Sequence, residues 1–185
     1  RYLEHWLEHT MAPKVRPATL SGYTVNVRRH ILPILGSVAL GKLGPADVRR
    51  LLVTKRDEGL APRTIQYIHA VLRAALNDAV ADELVHRNVA ALVDGPTVRR
   101  CPVEPLSPDQ VRTFLASIAG HRHEALFVVA LSTGLRQGEL LALRWSDFDP
   151  EKEIFTVTRA LQRGRGADRF GPPKSDHAIR ALFAT

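Results

Sequence analysis

The apolar positions of residues 1–93 recur at helical spacing. Tyr2, Leu3, Trp6 and Leu7 fall on one face of a short first helix, and a break follows at Met11-Ala12-Pro13. Arg16-Pro17-Ala18-Thr19 restarts a helix with proline in the first turn, where its fixed φ suits the helix and its missing N–H has no partner to lose. Leu20, Tyr23, Val27 and Ile31 form the apolar stripe of this second helix, which Pro33 and Gly36 are expected to end. Gly44-Pro45-Ala46-Asp47 opens a third, with Val48, Leu51 and Leu52 inward and a stop near Gly59. Ala61-Pro62-Arg63-Thr64 opens a fourth, where Ile65, Ile68, Leu72, Leu76 and Ala79 keep the period. Four helices without a strand pattern predict a small helical bundle over 1–93.

The periodicity lapses over 94–106, a stretch that contains Gly95, Pro96, Pro102 and Pro105 and reads as a linker between domains. A second domain is expected over 107–185. Ser107-Pro108-Asp109-Gln110 has the form of a capping box, with serine at the N-cap and glutamine three residues on, and predicts a helix to about Ile118. Glu124 to Leu131 is apolar on all sides, which predicts a buried helix. Gly134 interrupts, and Leu135 to Leu143 is expected to be short and helical. Ile154 to Thr158 alternates and is β-rich, so it predicts a strand. Gly164-Arg165-Gly166 reads as a turn or loop. A return strand around Ala178 to Phe183 would close a β-hairpin, with Lys174 near its entry.

Charge changes the picture more than composition does. The 185 residues carry 26 Lys and Arg against 19 Asp and Glu, a formal net charge of +7. The excess is uneven: residues 1–100 hold 15 basic and 9 acidic side chains, residues 101–185 hold 11 and 10. A polyanionic partner for the first half follows, because each phosphate neutralised releases a counterion; a basic surface that serves only solubility is the competing reading. Cys101 is the single cysteine, which excludes an internal disulfide and argues against a structural zinc site. His121, Arg122 and His123 cluster without a cysteine or a suitably spaced carboxylate, so no metal site is expected there either. The longest apolar run, Ala125 to Leu131, is far too short to span a membrane. A cytoplasmic protein without a membrane partner is the expectation.

The densest chemistry lies in Thr133-Gly134-Leu135-Arg136-Gln137-Gly138-Glu139-Leu140-Leu141-Ala142-Leu143-Arg144-Trp145. Gly134 frees the backbone before a helix start, Arg136 sits in the first turn, and Glu139 follows three residues later on the same face. The leucines and Trp145 are expected to anchor the segment in a core. A guanidinium held rigidly, with its planar fork of donors, suits a phosphate oxygen. Taken alone, R-x-x-E describes an ordinary surface ion pair equally well.

The full string Thr133 to Asp149, TGLRQGELLALRWSDFD, resembles the first active-site box of the tyrosine recombinases, the phage integrase family, whose pattern is close to T-G-x-R-x-x-E-(L/I)-x-x-L-x-W-x-D. The likeness extends to most of the chain. Pro17 to Leu92 resembles the family's helical core-binding domain, through Thr19, the Ile31-Leu32-Pro33-Ile34-Leu35-Gly36 stretch and Thr64-Ile65. Leu106 to Gln110 resembles the opening of its catalytic domain. The fold so implied is mainly α: a helical SAM-like core-binding domain at 1–93, then a truncated α+β catalytic domain with a β-hairpin at 107–185.

The resemblance implies site-specific recombination of DNA, by strand cleavage through a 3′-phosphotyrosyl intermediate and strand transfer, to integrate or excise a mobile element. The family uses no metal or nucleotide cofactor. Arg136 matches the first of two arginines that stabilise charge on the phosphorus, as preorganised donors should. Glu139 matches an acidic position that supports the site. Lys174 matches a hairpin lysine that protonates the leaving 5′-oxygen as a general acid. Its box departs from K-(T/S)-x-x-S-x-R, since Ala178 stands where serine is common. His177-Ala178-Ile179-Arg180 has the letters of the family's later H-x-x-R box but sits too close to Lys174, and we read it as coincidence. Tyr2, Tyr23 and Tyr67 all lie in the first domain and none matches the nucleophile, so this stretch of chain is expected not to cleave DNA by itself.

The family clamps double-stranded DNA between its two domains and works as several subunits on DNA, which makes duplex attachment sites and other recombinase subunits the expected partners. Arg28, Arg29, Arg63 and Arg73 lie off the apolar stripes of the second and fourth helices and are candidate DNA contacts, joined by Thr19, Thr64 and His69. Arg99 and Arg100 in the linker are expected to track the backbone. Two alternatives remain at this point: a truncated recombinase or regulator that binds DNA without strand transfer, and a transcription-factor-like bundle in which TGLRQGE is structural.

Overall fold

The computed structural model describes residues 1–99, 102–162, 169–172 and 180–183. The chain divides into two compact units, Arg1–Cys101 and Pro102–Thr185.

The first unit is all helical. α1 (Tyr2–His5) passes directly into a π-helical turn (Trp6–Met11), so the first helix reaches the predicted break. α2 (Pro17–Val25) likewise continues through a π-helical stretch (Asn26–Ile31) into α3 (Leu32–Leu35). The expected stop at Pro33 does not occur, and the chain stays helical around it. The amide of Leu32 reaches back five residues to the Val27 carbonyl, and this wider register accommodates a residue that has no N–H to give. The helix stops at Gly36, whose amide bonds the Leu32 carbonyl at 2.8 Å. α4 (Pro45–Asp57) and α5 (Pro62–Ala81) both begin with proline. The Asp47 carboxylate accepts from the Gly44 amide at 3.1 Å and so closes the start of α4. Gly59, at φ 80°, reverses the chain between α4 and α5.

The core of this unit is the one that the periodicity predicts. Val27, Ile31, Val48, Leu51, Leu52, Ile65, Ile68, Leu72, Leu76 and Ala79 are all buried. Trp6 joins them and donates its indole N–H to Asp78 at 2.6 Å, which fixes the first helix on α5. Tyr23 stacks on Trp6 with ring centroids 5.8 Å apart, in keeping with a packing role. The Tyr2 hydroxyl donates to the Ala75 carbonyl at 2.7 Å; burial, with Asp78 and Asp82 nearby, pushes it up to about 12.

The second unit is α+β. α6 (Pro108–Ser117) carries the predicted box on both sides: Ser107 Oγ accepts from the Gln110 amide at 3.2 Å and Gln110 Oε1 from the Ser107 amide at 2.8 Å. α7 (Glu124–Thr133) and α8 (Gln137–Leu140) follow, the latter shorter than the apolar run suggests. β1 (Phe148–Asp149), β2 (Ile154–Val157) and β5 (Arg180–Phe183) form an antiparallel sheet in the order β1-β2-β5, with Val157 opposite Arg180. β3 (Ala160–Gln162) and β4 (Arg169–Gly171) pair separately, so a second pair of strands lies between β2 and its return strand.

Two burial expectations are corrected here. α7 holds no buried residue, and Phe127, Val128 and Leu131 are exposed. Trp145 is 93% exposed rather than an anchor, because a 3₁₀ turn (Trp145–Asp147) carries it outward; Leu135 and Ala142 are the buried anchors of this segment. Apolar character gives the tendency to be covered, and here the cover is partial: Phe114 of α6 packs edge-on against Phe127, with ring centroids 5.4 Å apart, and the helix face stays open beyond it. Among the described residues, no helix is long and apolar enough to cross a membrane.

Candidate active site and nucleic-acid interface

The site in the second unit is built where α7 ends and α8 begins. Gly134 closes α7 in the left-handed region at φ 61°, a conformation that a Cβ disfavours. Its amide bonds the Ala130 carbonyl at 3.0 Å. The chain then turns through buried Leu135, and Arg136 takes the extended N-cap conformation ahead of α8. Glu139 lies one turn on. Its Oε2 accepts the Arg136 backbone amide at 3.1 Å, and its Oε1 accepts Arg136 Nη1 at 2.9 Å. The carboxylate thus caps the helix and holds the guanidinium at once.

A third group completes the cluster. Arg180, the first residue of β5, donates from Nη2 to Glu139 Oε2 at 3.0 Å. Glu139 is only 2% exposed, whereas the Arg136 side chain is 68% exposed. Burial pushes the Glu139 carboxyl up, but the hydrogen bonds from Arg180, from the Arg136 side chain and from its amide outweigh it, and the net shift is below the ordinary value. The buried anion is shared by two arginines, and one of them, Arg136, is presented to solvent. Such an arrangement can bind a phosphate oxygen.

Close packing holds this turn against the sheet. A Cβ at Gly138 would lie 2.8 Å from the Leu161 carbonyl oxygen of β3, so α8 and β3 approach to a distance that only glycine permits. Lys174 and His177 lie outside the described residues. Arg180, which the sequence places in a chance H-x-x-R, is the residue that sequence reasoning misses. Its sixth place after Lys174, where the lysine box ends in arginine, is the available signal.

The candidate DNA contacts of the first unit fall into distinct settings. Thr19, Arg29, Arg63, Thr64 and Arg73 are exposed on α2, its π-helical continuation and α5, and Arg99 is exposed beyond them. Arg100 lies outside the described residues. Arg28 is exposed too, but it forks onto Glu4, with Nη2 to Oε2 at 2.8 Å and Nε to Oε1 at 3.1 Å. The bond from Arg28 holds the Glu4 carboxyl below its usual range, and a phosphate at Arg28 has to compete with it.

His69 departs from the expectation of a surface contact. It is 7% exposed, and Nε2 lies 2.9 Å from the Ala90 carbonyl, a bond that pins the 3₁₀ turn Val89–Leu92 onto α5. The imidazole has enough apolar body to be drawn into a helix stripe once its nitrogen finds a partner. It still forms part of the floor of an open cleft of about 460 Å³, whose walls include Arg63, Gln66, Tyr67 and Arg73. Arg63 Nη1 donates to Gln66 Oε1 at 2.9 Å on the same face. The cleft therefore presents two guanidinium groups, an amide and an exposed aromatic ring together. Among the described residues no group of three metal-binding side chains converges.

Comparison with known proteins finds similar chains among the integrases. Residues 1–55 match the family described as phage integrase, N-terminal SAM-like domain. An integrase of Saccharopolyspora erythraea is 31% identical over 165 residues, covering 88% of this chain and 38% of that protein. The integrase of Mycobacterium phage L5 is 32% identical over 171 residues, covering 92% of this chain and 43% of that one. Among solved structures, the Tn1549 transposon integrase in complex with transposon right end DNA matches 100% of this chain and 60% of its own, at a TM-score of 0.81 and 26% identity. The chain spans 38% to 49% of the length of the curated relatives it matches. A helical SAM-like domain followed by part of an α+β catalytic domain is the architecture observed. Over most of its length the chain is similar to the tyrosine recombinases, or phage integrases.

Proposed function

We propose that this chain is the DNA-engaging part of a site-specific recombinase of the tyrosine class, acting in the integration or excision of a mobile element. In this reading 1–93 is the DNA-binding domain, 94–106 the linker and 107–185 the first portion of the catalytic domain. The observation that carries it is the Arg136–Glu139 pair in its turn: a solvent-facing guanidinium fixed by a buried carboxylate inside the T-G-x-R-x-x-E string.

Each group has a role that its chemistry suits. Arg136 stabilises charge on the scissile phosphate, where a preorganised donor acts without reorganising solvent. Glu139 keeps that donor in place. Lys174 protonates the leaving oxygen. Thr19, Arg28, Arg29, Arg63, Thr64, Arg73, Arg99 and Arg100 contact duplex DNA, chiefly at phosphates, while His69 shapes the cleft beneath them. The reaction needs no cofactor. The nucleophilic tyrosine and the second arginine of the family have no match assigned in these 185 residues, and other recombinase subunits join on the DNA.

The test is equilibrium binding of the chain to duplex DNA at a series of salt concentrations. Binding that weakens linearly in log–log form is expected, with the combined variant Arg29→Ala, Arg63→Ala, Arg73→Ala losing roughly 0.9 from the slope for each phosphate no longer neutralised. Absence of binding at low salt would overturn the reading. An unchanged slope in the triple variant would move the interface elsewhere. The binding-only alternative is separated by the natural-length polypeptide, which forms a covalent DNA adduct only if it transfers strands.

A further inference from the structure

We propose that Arg180 is a positioning residue for Arg136, acting through Glu139; this rests on the reading of Arg136 as the phosphate-binding arginine. The carboxylate is the hub. Glu139 Oε2 is shared by the Arg136 amide at 3.1 Å and Arg180 Nη2 at 3.0 Å, while Oε1 holds Arg136 Nη1 at 2.9 Å. Of these donors only Arg180 comes from another element, and it stands 41 residues away in the chain. The bond from β5 therefore fixes the orientation of the carboxylate that in turn orients both the backbone and the side chain of Arg136.

Charge gives Arg180 a second effect. With one guanidinium, the buried carboxylate would form a neutral pair with Arg136 and cancel much of its attraction for an anion. With two, the carboxylate is shared, and Arg136 is no longer its sole countercharge. Arg136 is the more exposed of the two: the side chains are 68% exposed for Arg136 and 29% for Arg180. Arg180 thus supplies the countercharge that frees Arg136 to attract phosphate, and its place at the start of β5 ties the sheet to the turn before α8.

Backbone amide exchange and a phosphate titration, both followed by NMR on the whole chain, test this. Arg180→Gln removes the charge and the fork. The Arg136 amide should then exchange roughly fivefold faster, the size expected when one member of a coupled network is removed. The Leu140 and Ala142 amides, which bond backbone carbonyls in the same turn, should keep their parent rates. If Arg180→Gln unfolds the second unit, Arg180→Lys carries the test: one donor is retained, and the Arg136 amide alone should accelerate about twofold or more. Unchanged Arg136 rates, or uniform acceleration across α8 and β2, would overturn the proposal.

Inorganic phosphate, added to the parent and the variants, separates the positioning role from the reading beneath it. Parent chain is expected to respond at the Arg136 side chain, with affinity about fivefold weaker in Arg180→Gln and no further loss from Arg180→Gln in an Arg136→Ala background. A parent chain with no response at Arg136 would contradict phosphate binding, while the amide rates still decide whether Arg180 positions Arg136.

Discussion

Glu139 is the residue on which the chemistry of the second unit turns. Burial disfavours its charge, and three hydrogen bonds restore it, so the folded chain holds this carboxyl below its ordinary value. A carboxyl lowered on folding contributes stability above its unfolded pKa and loses it as pH falls through the folded one. Thermal unfolding of the chain should therefore be insensitive to Glu139 titration near neutrality and shift to lower temperature in acid. Glu139→Gln should lower stability at pH 7 by about 1–3 kcal/mol, because Arg180 and the Arg136 amide lose a charged acceptor. It should also flatten part of the acid decline, and melting curves from pH 7 down to about pH 3 check both effects. Equal acid sensitivity in parent and variant would mean that the carboxyl is not held as described. Arg136 and Glu139 are legible as a pair because their spacing is that of one helical turn. Arg180 is not, since no local pattern joins a strand residue to a helix 41 positions earlier.

At the scale of elements, legibility follows length and periodicity. α4 and α5 are long enough for the apolar stripe and the proline start to agree, and their buried residues include those the spacing gives. α6 is legible from its cap alone. The strands β1, β3 and β4 have two or three residues each, too few for alternation to register. Continuation of α2 past Pro33 depends on a π-helical register that composition does not announce. Packing yields two predictions at this scale. Gly138→Ala places a methyl 2.8 Å from the Leu161 carbonyl and should destabilise the second unit by roughly 1–3 kcal/mol. Leu72→Ala, at a fully packed position of α5, should cost about 2–5 kcal/mol in the first unit. Denaturant unfolding of each variant measures both, and a neutral Gly138→Ala would show that β3 does not approach α8 this closely.

For the whole molecule, the division of labour is visible in where the core lies. Every member of the large buried cluster belongs to the first unit, while the second buries few apolar side chains among its described residues. Residues 1–101 alone should consequently fold and melt cooperatively, with circular dichroism close to that of an all-α protein; a non-cooperative melt would mean that they depend on the rest of the chain. The basic excess sits in that same unit, and the rigidly held arginine sits in the other. In the proposed reading both would meet the phosphates of one duplex. The most direct test is the salt dependence of DNA binding by Arg136→Ala beside the parent chain. A log–log slope reduced by about 1 is expected in the variant, because one phosphate is no longer neutralised while the fold stays intact. Identical slopes and affinities would contradict this, for Arg136 would then be an ordinary surface charge and the T-G-x-R-x-x-E turn a piece of structure alone.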